Sequence, residues 1–279
     1  METVVTGKGT EVKFGPDLPT VIIAERINPT GRESLAEELK QGKFDIVRED
    51  AIKQTEAGAN IIDINVGAAG VDEVEMLPRA VKMVMEVTDQ PLCLDSANPK
   101  ALAAALEVYP YKAIINSVNG EERSLEEILP MVKESGSAVI CLTMDEDGIP
   151  DNVEKRVEIA EKIIKRAESI GIKKEDLVFD CLVMPNSIDS NAGRITLETQ
   201  RRVAKEFGVS ITGGYSNVSF GMPDRNLLNI NFITMGIISG LCAPITDPLI
   251  DNLTEAIKAA DFLAGRDPYG MNYISFYRK

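Results

Sequence analysis

Ile61-Ile-Asp-Ile-Asn65 and Leu92-Cys-Leu-Asp95 are two short apolar runs that end in polar residues, and Val71 to Val87 lies between them with apolar residues at three- and four-residue steps. The two runs are too short for helices and rich in Ile and Leu, which suits strands buried on both faces. The intervening period suits a helix that lays one apolar stripe on those strands. The unit therefore reads as strand, helix, parallel strand.

Working outward, the same alternation recurs along the chain. Further strands are predicted at Val21 to Glu25, Ala113 to Asn116, Ala138 to Thr143, Leu177 to Asp180, Ser210 to Gly213 and Leu241 to Ile245. Helical spacing is found over Phe44 to Ala57, Pro99 to Val108, Leu125 to Ser135, Val153 to Ile170, Leu197 to Phe207, Arg225 to Ser239 and Leu253 to Leu263. Gly58, Gly136, Gly171, Gly208, Gly240 and Gly265 stand just past six of the helical stretches, where a left-handed cap favours glycine. Eight such units in 279 residues predict an α/β chain folded as one (β/α)8 TIM barrel in preference to a doubly wound open sheet. A single domain is expected over 1–279, with 1–20 and 266–279 as peripheral extensions that cover the barrel bottom or meet a partner subunit.

Composition narrows the function. A net charge of −14 argues against a nucleic-acid partner, which would need a basic footprint. No apolar stretch approaches the roughly 20 residues of a membrane span. The N-terminus has no basic segment followed by an apolar one, so a cytoplasmic location is the expectation. Cys93, Cys141, Cys181 and Cys242 lie far apart, each in or beside an apolar run, and are expected to be reduced and packed rather than to hold zinc. The chain has no histidine. That excludes Ser-His-Asp and Cys-His catalysis and the His-Glu-x-x-His zinc site, and leaves proton chemistry to carboxylates, Tyr, Lys, Cys or the substrate itself. No metal site is expected.

In a barrel, ligands meet the carboxyl ends of the strands. Those ends here are Glu25-Arg-Ile-Asn28, Asp63-Ile-Asn65, Asp95-Ser-Ala-Asn98, Asn116-Ser-Val-Asn119, Thr143 with Asp145, Asp180, the loop Tyr215-Ser-Asn-Val-Ser-Phe-Gly-Met-Pro223 after Gly213-Gly214, and Asp247. Any one could merely cap a helix, as Asn98 before Pro99 would. So many carboxylates and carboxamides at one mouth, with no basic cluster beyond Arg26 and Arg225, suit a neutral heterocycle better than a phosphate ester. A pterin or a purine fits; the 2-amino and N3–H donors of a pterin match one carboxylate bidentately.

The stretches Ala24-Glu-Arg-Ile-Asn28, Ile62-Asp-Ile-Asn-Val-Gly67, Cys93-Leu-Asp-Ser96, Ile115-Asn-Ser117, Asp180 and Tyr215 to Pro223 with Arg225 together resemble the pterin-binding corrinoid methyltransferases. That family includes methyltetrahydrofolate:corrinoid protein methyltransferases and the folate domain of cobalamin-dependent methionine synthase. The resemblance implies a pterin held by Asp95, Asn116 and Asp180, with Asp63, Asn65, Ser216 and Gly214 beside it. It implies that Asn217 is the catalytic residue that reaches N5, and that Glu25, Arg26, Asn28, Ser96 and Arg225 support the site. It further implies tetrahydrofolate or 5-methyltetrahydrofolate as substrate, a corrinoid (cobalamin) carried by a partner corrinoid protein, no metal on this chain, a homodimer and a place in one-carbon metabolism. Two alternatives stand beside it. A dihydropteroate synthase would call for a strand-7 Lys and a late Ser-x-Arg-Pro motif, whereas Leu241 to Asp247 has no basic residue; a folate-binding barrel without activity would need only the ring contacts.

Overall fold

The computed structural model describes residues 1–278 and opens with an antiparallel hairpin, β1 (Thr3–Thr6) and β2 (Glu11–Phe14). The barrel strands follow: β3 (Ile23–Ile27), β4 (Ile61–Asn65), β5 (Leu92–Asp95), β6 (Ile114–Asn119), β7 (Ala138–Leu142), β8 (Leu177–Asp180), β9 (Ser210–Gly214) and β10 (Ala243–Thr246). All eight pair in parallel, and β10 closes the ring against β3 through Ile245 opposite Ile23. The barrel predicted from the alternation is therefore the fold, and the open sheet is not.

The helices outside the ring are α1 (Glu33–Lys40), α2 (Asp45–Glu56), α3 (Glu73–Val87), α4 (Pro99–Val108), α5 (Glu122–Ser135), α6 (Val153–Ser169), α7 (Ala192–Phe207), α8 (Arg225–Ile238) and α9 (Leu253–Leu263), with α10 (Met271–Tyr277) at the end. Asn98 caps α4 as its sequence position suggests, accepting from Lys100 N at 3.0 Å ahead of Pro99 at the first turn. Gly136 and Gly208 adopt the left-handed cap at φ 66° and 70°. Three elements were not read from the sequence: the β1–β2 hairpin, α1 and α10. The hairpin strands are four residues long, and only Phe14 of β2 is buried, so their pattern is too short and too polar to stand out.

Alternation along the strands divides the core in two. Ile62, Ile64, Leu92, Leu94, Ile115, Val139, Cys141, Phe179 and Ile211 face outward into one large cluster with the helices. Ile23, Ile61, Cys93, Ile114, Ala138, Ile140, Val178 and Ala243 form a second cluster inside the barrel, completed by Val5 and Phe14 of the hairpin. The hairpin thus closes the amino end of the barrel. Thr3 Oγ1 lies 2.8 Å from Ser210 Oγ at the start of β9, and Tyr109 Oη donates to Thr6 O at 2.8 Å. The four cysteines are free and buried, and no helix among the described residues is long and apolar enough to cross a membrane.

The loop after β9 is held from behind. Tyr215 is fully buried, its ring 4.9 Å from that of Phe232 on α8, and its hydroxyl donates to Gln200 Oε1 on α7. A Cβ at Gly236 would fall 2.5 Å from Tyr215 Oη and 2.7 Å from its Cε1. Helix α8 can lie this close to the tyrosine only because position 236 has no side chain. Gly236→Ala is therefore expected to lower stability by about 1–3 kcal/mol, the usual cost of overpacking, measured as the midpoint of urea unfolding. An unchanged midpoint would contradict this packing.

Candidate active site

Because strand side chains alternate, the residues two places beyond the inner apolar cluster also point into the barrel. These are Glu25 on β3, Asp63 and then Asn65 on β4, Asp95 on β5, Asn116 on β6 and Asp180 on β8. Register places Asn65 opposite Asp95, and Asp95 opposite Asn116. Asn65 Nδ2 donates to Asp95 Oδ2 at 2.9 Å, while Asn65 Oδ1 accepts from Gly67 N at 2.7 Å, which fixes which way the amide points. Asn116 Nδ2 lies 3.4 Å from Asp63 Oδ1, with Cys93 beneath, its thiol pushed up by burial and by the neighbouring Asp63. On β8, Asp180 Oδ1 accepts from Leu182 N at 2.7 Å. A side groove of roughly 490 Å³ runs out from Asp95 and Asn116 past Asn119, Ser124, Leu142 and Met144.

The remaining side of the mouth belongs to the β9 loop, a 3-10 turn over Tyr215–Ser219. Ser216 Oγ is 3.2 Å from Glu25 Oε2. Asn217 Nδ2 lies 2.9 Å from the point where a Cβ on Gly214 would stand, so any side chain at 214 would displace the carboxamide. The Asn217 carboxamide forms no hydrogen bond to any other described residue. The Asp180 carboxylate sits against Gly213 in the same way, 3.2 Å from its would-be Cβ.

The mouth is a cluster of acids with little compensation, and burial pushes each of them up. Asp95 and Asp180 are raised to about 6, chiefly by loss of water, and Glu25 to about 7 by the same cause. Asp63, 2 % exposed, is likewise held well above the ordinary carboxylate range, by burial first and then by the adjacent Asp95. Asn65 and the Leu182 amide oppose the shift at Asp95 and Asp180, but only in part.

The supporting residues divide. Arg26 turns away from the barrel interior, its Nη1 2.8 Å from Asp247 and its Nε 3.3 Å from Asp50 on α2. Asn28 accepts from Thr30 N at 2.9 Å and shapes its own turn. Ser96 donates to Glu73 on α3 and accepts from Asn98 N at 3.0 Å. Arg225 lies behind the β9 loop, donating to Ser216 O at 2.9 Å and Ser219 Oγ at 3.0 Å, with its guanidinium 4.4 Å from the Phe220 ring centre. Arg26, Ser96 and Arg225 brace the strand ends and the loop, and Asn28 its own turn. Only Glu25 among the supporting residues faces the interior.

Sequence reasoning missed Arg156. It is 2 % exposed on α6 and donates to Cys181 O at 2.6 Å, Leu182 O at 2.9 Å and Pro150 O at 2.8 Å, tying together the loops that follow β7 and β8. The available signal was a charge on the apolar stripe Val153, Val157, Ala160. Asp50 and Gln54 break the buried stripe of α2 in the same manner, and Gln54 Oε1 accepts from Arg26 N at 2.8 Å.

Fold and mouth together define a barrel whose carboxyl end gathers acidic and amide side chains. The chain belongs to the pterin-binding enzyme family: the Pterin binding enzyme profile matches residues 24–247. The methylcorrinoid:tetrahydrofolate methyltransferase of Eubacterium limosum is 32% identical over 267 residues, 93% of this chain and 96% of that one. The methionine synthase of Mycobacterium leprae is 32% identical over 249 residues, 83% of this chain but only 20% of that protein. The chain is a methyltransferase of this family. Among solved structures, Xanthomonas albilineans dihydropteroate synthase bound to indole-2-carboxylic acid and 6-chloroguanine superposes with a TM-score of 0.70 at 18% identity, over 94% of this chain and 98% of that one. Yersinia pestis dihydropteroate synthase with a pterine-sulfa conjugate gives 0.68 at 16% identity, over 94% and 99%. At such identities the likeness speaks for the barrel alone.

A carboxylate raised by burial makes the folded protein less stable once it ionises. The cost is absent below the unfolded-state value near 4 and fully present above about 6. Asp95→Asn keeps an oxygen to accept from Asn65 and removes the charge. Its melting temperature should exceed that of the parent at pH 8, and the gain should vanish by about pH 4. A lower melting temperature at pH 8 would contradict the electrostatics.

Proposed function

We propose that this chain transfers a methyl group between the cobalt of a corrinoid carried by a partner protein and N5 of tetrahydrofolate, with methylcorrinoid as donor and tetrahydrofolate as acceptor. The observation that carries this reading is the uncommitted Asn217 carboxamide at the mouth, between Gly214 and the Glu25–Ser216 pair. Support for the direction comes from the name of the E. limosum relative, which this chain matches over nearly its full length.

In this reading Asp95 and Asp180 take the 2-amino and ring N–H donors of the pterin, and Asn116, Asn65 and Asp63 complete the wall. The N5 lone pair attacks the methyl carbon; the cobalt–carbon bond breaks and its electron pair stays on cobalt. The Asn217 oxygen can accept from N5–H as positive charge develops, and after turning, its NH₂ can donate to N5 in the reverse reaction. Such an interaction strengthens toward the transition state, as catalysis requires. A corrinoid protein would have to reach the open mouth. Exposed Leu227, Leu228, Met235 and Ile238 on α8 suit a second copy of the chain, in keeping with a homodimer. A dihydropteroate synthase activity is disfavoured, since neither β9 nor β10 carries a basic residue for a diphosphate.

Asn217→Ala should leave tetrahydrofolate affinity within severalfold, by anaerobic calorimetry, while methyl transfer to or from free cobalamin falls about a hundredfold, or roughly 3 kcal/mol. Equal transfer by the variant would remove Asn217 from the mechanism; folate binding without transfer by the parent would leave only a binding barrel. Acid should weaken binding. Protonation of Asp95 and Asp180 near pH 6 removes the acceptors for the pterin donors, so the Kd for tetrahydrofolate should rise as pH falls from 7 to 5. A constant Kd over that range would argue against carboxylate recognition.

A further inference from the structure

The methylation proposed above leaves a proton to place. Methyl transfer turns N5 of tetrahydrofolate into a methylated ammonium still bearing its hydrogen, and the chain has no histidine to receive it. Glu25 is an interior-facing carboxylate on β3 that no ring contact claims. One oxygen lies 3.2 Å from Ser216 Oγ, and the other forms no hydrogen bond to any described residue. Ser216 immediately precedes Asn217 in the same 3-10 turn. The groups facing Glu25 are Asp63 from β4, Asp247 beyond β10 and Arg225 at the start of α8. Arg225 is committed to the backbone oxygen of Ser216 and the hydroxyl of Ser219, so it holds the serine in place without pairing with the glutamate.

We infer that Glu25 is the proton store of the reaction, acting through the Ser216 hydroxyl on the hydrogen that N5 loses when it is methylated. The inference rests on the methyl-transfer reading. The step balances as follows. The N5–H proton passes to Ser216 Oγ while the serine's own proton passes to the Glu25 carboxylate. The ammonium and the carboxylate become a neutral amine and a carboxylic acid, and Ser216 is unchanged. No electrons move beyond the pair already left on cobalt. In the reverse direction the acid returns the proton to N5 as the carbon–nitrogen bond breaks. Ser216 and Asn217 are thus the two residues that reach N5, and Glu25, acting through the serine, is a positioning residue and proton store. Its value near 7, raised by burial first and then by Asp247 against the opposing Ser216 and Arg225, lets it serve in both directions near neutrality.

The test is a single-turnover assay of methylcobalamin with tetrahydrofolate bound to the full chain, followed by the absorbance of cob(I)alamin from pH 5.5 to 8.5. The parent rate should rise with pH through about 7, because the store must begin ionised. Glu25→Gln should slow transfer about a hundredfold at pH 7.5 and flatten the profile, with the Kd for tetrahydrofolate within threefold of the parent. Glu25→Asp should recover part of the rate and of the pH dependence. Ser216→Ala should slow transfer similarly, and the double variant should be no slower than either single one. Glu25→Gln with the parent's pH profile, or with affinity lost and rate kept, would overturn the inference. A parent protein that binds folate but transfers no methyl would instead sink the methyl-transfer reading. Should Glu25→Gln fail to fold, Ser216→Ala alone reads the relay: a slowed, flattened profile supports it and an unchanged profile overturns it.

Discussion

The two-residue period of a buried strand governs this molecule more than any single contact. In β4, β5, β6 and β8 the inward positions are Ile61, Cys93, Ile114 and Val178 at the first level, and Asp63, Asp95, Asn116 and Asp180 two residues later. The same parity that closes the barrel floor with apolar groups therefore delivers a ring of acids and amides at its mouth. A one-residue slip in any of these strands would bury the acids against the helices and turn an Ile, Leu or Phe into the mouth. Fold and site are specified by one pattern.

The arrangement is costly to the folded protein. Asp63, Asp95, Asp180 and Glu25 are all held above the ordinary carboxylate range, and burial is the leading cause for each. The amides of Asn65, Asn116 and Leu182 satisfy some of their lone pairs and leave others open. Carboxylates whose ionisation burial opposes, gathered in one cleft, are candidate functional groups. In the proposed reading the N–H groups of a pterin supply the missing donors, so ligand binding would relieve a strain that folding leaves in place. Rigidity comes from a layer behind the mouth. Tyr215, Arg225 and Arg156 tie the β9, β8 and β7 loops to α7, α8 and α6, so the groups at the mouth stand on an ordered platform.

Most of this was legible in the residues, and the rest was hidden for identifiable reasons. The βα alternation, the glycine caps and the polar strand ends rest on local periodicity, which a sequence displays directly. Strand β3 lies two residues later than Val21 to Glu25 suggests, although Val21 N already pairs with Cys242 O. The hairpin could not be read because its two fully buried apolar residues, Val5 and Phe14, gain meaning only from the barrel floor they cover. The convergence of Asp95, Asn116 and Asp180 was foreseeable from strand ends alone. The partners of the arginines were not: Arg26 meets Asp247, which lies 221 positions away in the chain. Glu25 was assigned a supporting role on sequence, and only the geometry joins it to Ser216.

In the proposed reading the barrel mouth binds the pterin with N5 turned toward the β9 loop. A crystal structure of the chain with tetrahydrofolate bound under anaerobic conditions tests it most directly. N5 is expected within hydrogen-bonding distance of the Asn217 carboxamide, and the 2-amino edge of the ring on Asp95 or Asp180. A ring seated with N5 against Asp63 and Cys93, or bound outside the mouth, would contradict it.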